Sequence, residues 1–140
     1  MKELNRKKLL IVDDSKAIRE GLVKFISGLQ TVEIVGEAGD GATALEIVDK
    51  LKPDFVTLDI KMPGISGILV LLEIKKRHPN IIVFMLTNFP LENYKRLCQN
   101  AGANYFYDKS NEFEKMVNKI EELSFEDSQL KKIVGKRDNQ

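Results

Sequence analysis

Five short apolar runs, each followed by a stretch with apolar residues three and four apart, set the tightest limit on what this chain can fold into. The first run, residues 9–12, is too brief for a helix and stops at the acidic pair Asp13-Asp14, so it reads as a buried strand. Beyond it Ile18, Leu22, Phe25, Ile26 and Leu29 mark one face of a helix capped by Ser15 or Asp14. The alternation then repeats. Residues 32–37 read as strand, Gly39-Asp40-Gly41 as turn and cap, and Ala44, Leu45, Val48 and Leu51 as a helical face stopped by Pro53. Residues 55–58 form the third strand, Met62-Pro63-Gly64 a loop, and residues 67–77 the third helix. Residues 81–86 are the most apolar strand, followed by the helical set Leu91, Tyr94, Leu97, Cys98 and Ala101. Residues 104–107 close the series of strands, and Phe113, Met116, Val117, Ile120 and Leu123 supply the last helix, with Asn111 and Glu114 spaced as a capping box. Strands apolar on both faces, joined through helices by short connections, imply a doubly wound α/β fold with a five-stranded parallel sheet.

A chain of 140 residues is one domain's worth, and 43% hydrophobic residues can build its core without metal or disulfide. We expect a core domain over residues 1–123. The tail, residues 124–140, has Ser124 as a cap, the acidic Glu126 and Asp127, an apolar stripe of Leu130, Ile133 and Val134, then Lys131, Lys132 and a stop signal at Gly135. It is expected to form a short sixth helix or to extend the fifth, packed on the domain or offered to a partner, with disorder after Gly135. Twenty-two Lys and Arg against 21 Asp and Glu give a formal net charge of +1, which supplies no field for general nucleic-acid binding. The single cysteine, Cys98, has no internal disulfide partner and reads as inert core. No signal peptide or membrane span fits the sequence, so the expectation is a cytoplasmic protein without membrane partners.

In a doubly wound sheet ligands bind beyond the carboxyl ends of the strands. Those ends carry Asp13 and Asp14, Glu37, Asp59, Thr87 and Lys109. Carboxylates converging on one rim repel one another, and a cation relieves them. Hard oxygen donors select Mg²⁺, which takes one or two carboxylates plus a phosphoryl oxygen, while Lys109 and Thr87 suit further phosphoryl oxygens. The only histidine, His78, beside Pro79, reads as a solvated helix-end residue.

The ordered set Asp13-Asp14, Asp59 with Lys61-Met62-Pro63-Gly64, Thr87 and Lys109 resembles a response-regulator receiver domain of two-component signalling, over residues 7–123. The resemblance implies a flavodoxin-like (βα)5 fold with strand order 2-1-3-4-5. It implies that Asp59 accepts a phosphoryl group from a phosphohistidine on a sensor histidine kinase or histidine phosphotransfer protein. It further implies Mg²⁺ held by Asp13, Asp14, Asp59 and the backbone carbonyl of Lys61, with Thr87 and Lys109 on the phosphoryl oxygens and Phe106 at the switch position. Such a module is a stoichiometric acceptor rather than an enzyme, and its modified state alters binding of a downstream protein target. Alternatives that use the same residues are a phosphorelay intermediate and the receiver fragment of a DNA-binding regulator. A Mg²⁺-dependent aspartyl phosphatase is disfavoured, because such enzymes resemble Asp-x-Asp after the first strand. Two departures stand out: Lys109 precedes Ser110 where the family usually has proline, and position 106 is Phe rather than the frequent Tyr.

On the third helix, Ile68, Leu71 and Ile74 are expected to face the sheet with Val70 at the margin, leaving Leu69 and Leu72 exposed. Exposed leucines there read either as ordinary surface or as a contact patch for a partner or for weak self-association.

Overall fold

The computed structural model describes the backbone of residues 5–138 and the side chains of residues 5–126. Five strands, β1 (Lys7–Val12), β2 (Val32–Ala38), β3 (Phe55–Leu58), β4 (Ile82–Thr87) and β5 (Tyr105–Asp108), alternate with helices. The helices are α1 (Lys16–Ile26), α2 (Gly41–Leu51), α3 (Gly67–Arg77), α4 (Glu92–Asn100) and α5 (Phe113–Asp138). The strands form one parallel sheet in the order β2-β1-β3-β4-β5, as the resemblance implied. No helix among the described residues is long and apolar enough to cross a membrane.

Strand alternation sorts the core into two layers. Leu10, Val12, Val56, Leu58, Val83 and Met85 point to one face, where Val48, Val70, Leu71, Ile74 and Cys98 of α2, α3 and α4 cover them. Leu9, Ile11, Phe55, Phe84 and Leu86 point to the other, against Leu22 and Ile26 of α1 and Met116 and Ile120 of α5. Full burial of each Leu, Ile or Phe contributes roughly 1.5 to 3 kcal/mol, so both faces hold the sheet. The helix starts are fastened locally: Ser15, Asp40 and Ser66 accept from the backbone N–H groups of Ile18, Thr43 and Ile68 at 3.2, 2.8 and 3.1 Å.

Several local expectations change. Leu91 and Leu97 face outward, because α4 presents only the Tyr94, Cys98 and Ala101 side to the sheet. Phe25 is likewise exposed and meets Phe113 edge to face. On α3, Val70 is fully buried and Ile68 only partly, a rotation of the expected face, while Leu69 and Leu72 are exposed as read. The capping box of Asn111 with Glu114 is replaced by contacts to Asp108, whose carboxylate accepts from the Asn111 amide and whose backbone N–H donates to Glu112. α5 is one helix that passes Ser124 and Gly135 to Asp138. A glycine inside a helix costs only about 1 kcal/mol relative to alanine, too little to end it by itself. Residues 139 and 140 lie outside the described part. Ser124, expected to begin a tail, is fully buried and shares a hydrogen bond with Thr31.

Candidate functional site

The sheet delivers Asp13 and Asp59 to adjacent strand ends, because β1 and β3 pair in register from Leu9 with Phe55 to Val12 with Leu58. Each is the first residue past its strand, and each is buried. The Asp59 backbone N–H donates to the Val12 carbonyl at 3.1 Å, extending the ladder into the site. Asp14, next in the chain, is exposed. Asp13, Asp14 and Asp59 each offer a carboxylate oxygen within 4.8 Å of the others.

Lys109, just past β5, closes this cluster. Its ammonium lies 2.7 Å from Asp13 Oδ2 and 3.2 Å from Asp59 Oδ2, with all three side chains nearly inaccessible. The lysine backbone N–H is tied to the Thr87 carbonyl at 2.9 Å, which fixes the end of β5 against β4. The peptide from Lys109 to Ser110 is trans.

Electrostatics follow from this packing. Burial pushes the Asp59 carboxyl up to about 6; Lys109 opposes the rise, and the carboxylates of Asp13 and Asp14 reinforce it. Burial pulls Lys109 down, but its hydrogen bond to Asp13 and the charges of Asp59 and Asp13 leave it above the ordinary lysine value. The donor set suits Mg²⁺. It is all hard oxygen, one carboxylate is open to solvent for retained waters, and two buried carboxylates share a single ammonium.

Thr87 is fully buried at the end of β4, and its hydroxyl accepts from the Phe89 N–H at 3.0 Å. The Phe89 ring in turn lies 4.0 Å beneath the Lys61 ammonium. Phe106 is half-buried against the layer covered by α2, α3 and α4. His78 is at the other edge of the sheet, 2.9 Å from Asp49. Glu37 stays out of the cluster, 3.3 Å from Arg19.

Three features of the site had no signal in the sequence. Arg19 of α1 donates to the Asp13 carbonyl at 2.7 Å while holding Glu37, so it pins the backbone that carries the acidic pair. Gly67 opens α3 so close to the Asp59 carbonyl that a Cβ would lie 1.8 Å from that oxygen. Thr57, two residues before Asp59 and on the same strand face, has a buried hydroxyl with no hydrogen-bond partner among the described residues. Such a group costs about 1 to 3 kcal/mol.

A family model described as a response regulator receiver domain matches residues 9–121. The chain is 31% identical over 116 residues to the response regulator GacA of Pseudomonas aeruginosa, covering 83% of this chain and 54% of that protein. It spans about half the length of the first curated relatives that it matches. Among solved structures, the response regulator domain of Thermotoga maritima CheB superposes with a TM-score of 0.77 at 30% identity, covering 89% of this chain and 97% of that one. The CheX-CheY complex with BeF3 and Mg²⁺ from Borrelia burgdorferi matches with a TM-score of 0.75 at 28% identity, covering 84% and 88%.

Proposed function

The chain belongs to the response regulator receiver family, and we propose that its Asp59 takes a phosphoryl group from a phosphohistidine on a sensor histidine kinase or histidine phosphotransfer protein. The observation that carries this reading is the Lys109 ammonium set between Asp13 and Asp59 at the carboxyl edge of the sheet. In the transfer an Asp59 carboxylate oxygen bonds to phosphorus as the bond from phosphorus to the donor imidazole breaks. The bonding pair returns to the imidazole, which leaves as a neutral ring because its other nitrogen carries a proton. Asp59 acts as a carboxylate, so no general base is needed. Asp13, Asp14, Asp59 and the Lys61 carbonyl would hold Mg²⁺, which when bound would supply positive charge to the phosphoryl oxygens.

Lys109 neutralises a second phosphoryl oxygen, exchanging part of its contact with Asp59 for one with the new group. The Thr87 hydroxyl donates to a third, and reaching it draws that side chain off the Phe89 N–H that it now accepts. This loosens the loop after β4, and Phe106 moves inward beside it with a ring that has no hydroxyl to satisfy. The outcome is a changed face on α4, β5 and α5 for a downstream protein target. A relay role would use the same residues, and the lifetime of the acyl phosphate with and without a histidine phosphotransfer protein separates the two.

Incubation with Mg²⁺ and a small acyl-phosphate or phosphoramidate donor tests the reading by intact-mass spectrometry. One phosphoryl group per chain is expected, lost in Asp59→Asn. Absence of an adduct on the unaltered chain, or catalytic turnover of phosphomonoesters, would overturn it.

A further inference from the structure

Residues 121–137 of α5 carry a charge pattern that the phosphoacceptor site does not use. Glu121, Glu122, Glu126 and Asp127 come first, and Lys131, Lys132, Lys136 and Arg137 follow. The body of the domain ends inside the acidic part. Ser124 is the last fully buried residue of α5 described, packed where Thr31 precedes β2 at the amino-terminal edge of the sheet. From Asp127 to Asp138 the helix continues for roughly 18 Å at 1.5 Å per residue.

Beside the acidic part lies an open groove of about 580 Å³, lined by Gly28, Thr31, Glu121, Glu122 and Phe125 among others. Phe125 is 54% exposed, and the Glu122 carboxylate, 3.0 Å from Lys119, keeps much of its surface in solvent. Followed along the helix at intervals of four and three, the Glu122 and Phe125 stripe continues through Gln129, Ile133 and Lys136. This stripe is its own complement when reversed about Gln129. Glu122 falls opposite Lys136, and Phe125 falls opposite Ile133. The positions flanking the stripe obey the same reversal: Glu121 with Arg137, and Glu126 with Lys132.

We propose that α5 pairs antiparallel with α5 of a second copy of this chain, crossing at Gln129, so that the basic end of each helix lies in the groove beside Phe125 of the other. A two-fold interface requires that if one residue meets another, the reverse contact also forms, and the reversal about Gln129 meets that condition at every charged pair. Parallel pairing would set each carboxylate against itself. Within one helix, Glu121 and Glu122 lie roughly 22 Å from Lys136 and Arg137, too far for direct pairing. The contact is at the amino-terminal edge of the sheet, away from Asp59, so it stands independently of the proposed phosphoacceptor function.

Sedimentation of the full chain in the high micromolar range is expected to show a dimer that weakens as salt rises. Variants with Lys132→Glu, Lys136→Glu and Arg137→Glu, or with Glu121→Lys, Glu122→Lys and Glu126→Lys, should each be monomeric, and an equimolar mixture of the two should regain dimer mass. Direction is read with Phe125→Cys and Ile133→Cys. Each variant alone should give little disulfide-linked dimer, whereas their mixture cross-links. A monomeric unaltered chain, a dimer indifferent to charge reversal, or dominant linkage of Phe125→Cys to itself would overturn the proposal.

Discussion

Two aspartate sites occupy opposite edges of the same sheet, and they treat the carboxylate in opposite ways. At the carboxyl edge, Asp59 is buried beside Asp13 with one ammonium between them, and its carboxyl is pushed up to about 6. At the amino edge, Asp49 of α2 is open to solvent and takes His78 at 2.9 Å and Arg77 at 2.7 Å. The hydrogen bond from His78 and then the Arg77 charge hold it below the ordinary carboxylate value. The residue type is the same. Burial with like charges leaves one edge short of positive charge and able to receive a cation and a phosphoryl group, while exposure, an arginine and a histidine hydrogen bond leave the other satisfied.

The contrast is broken most severely at Gly67. A Cβ there would overlap the Asp59 carbonyl, so Gly67→Ala should cost about 3 kcal/mol in urea unfolding and abolish Mg²⁺ binding. Gly21→Ala, in α1 with nothing within 4 Å, should instead stabilise by roughly 1 kcal/mol. Equal effects of the two substitutions would show that α3 does not press on the site.

Next in size is the response to metal. Mg²⁺ at 100 times its dissociation constant should add about 2.7 kcal/mol to unfolding stability, a gain that Asp13→Asn or Asp14→Asn removes and Asp49→Asn leaves intact. Thermal melts with and without millimolar Mg²⁺ check this directly. An equal loss in Asp49→Asn would erase the distinction between the two edges.

A smaller effect appears with chelator present. The folded Asp59 value of about 6 lies above its ordinary 3.8, so the folded state holds this proton more tightly. Stability from this group is full below the unfolded value and is lost as pH rises through about 6. Asp59→Asn should therefore melt higher than the unaltered chain at neutral pH and show a flatter profile between the two values. The smallest effect belongs to Asp49→Asn, whose melting temperature should stay within the range of surface substitutions because its carboxylate is solvated.

How much of this was readable in advance depends on the range of the forces involved. The five strands were legible because residues such as 9–12 and 55–58 are apolar on both faces, a pattern that only a covered parallel sheet accommodates. Asp13, Asp14, Asp59, Thr87 and Lys109 were legible because a strand end is marked in the sequence where the apolar run stops. The outward turn of Leu91 and Leu97 was not, since a nine-residue helix offers several apolar arcs and the neighbouring elements select one.

The sequence by itself determined the alternation of elements, the acids and the lysine at the strand ends, and the charge reversal along the last helix, all of which are local properties of order and spacing. Only the tertiary structure decided that Lys109 sits between Asp13 and Asp59, that Arg19 holds the Asp13 carbonyl, that Gly67 abuts the Asp59 carbonyl, and that Ser124 is buried against Thr31. Those contacts join residues far apart in the chain. Their distances are set by how the sheet twists and how the helices pack on it, which no window of sequence contains.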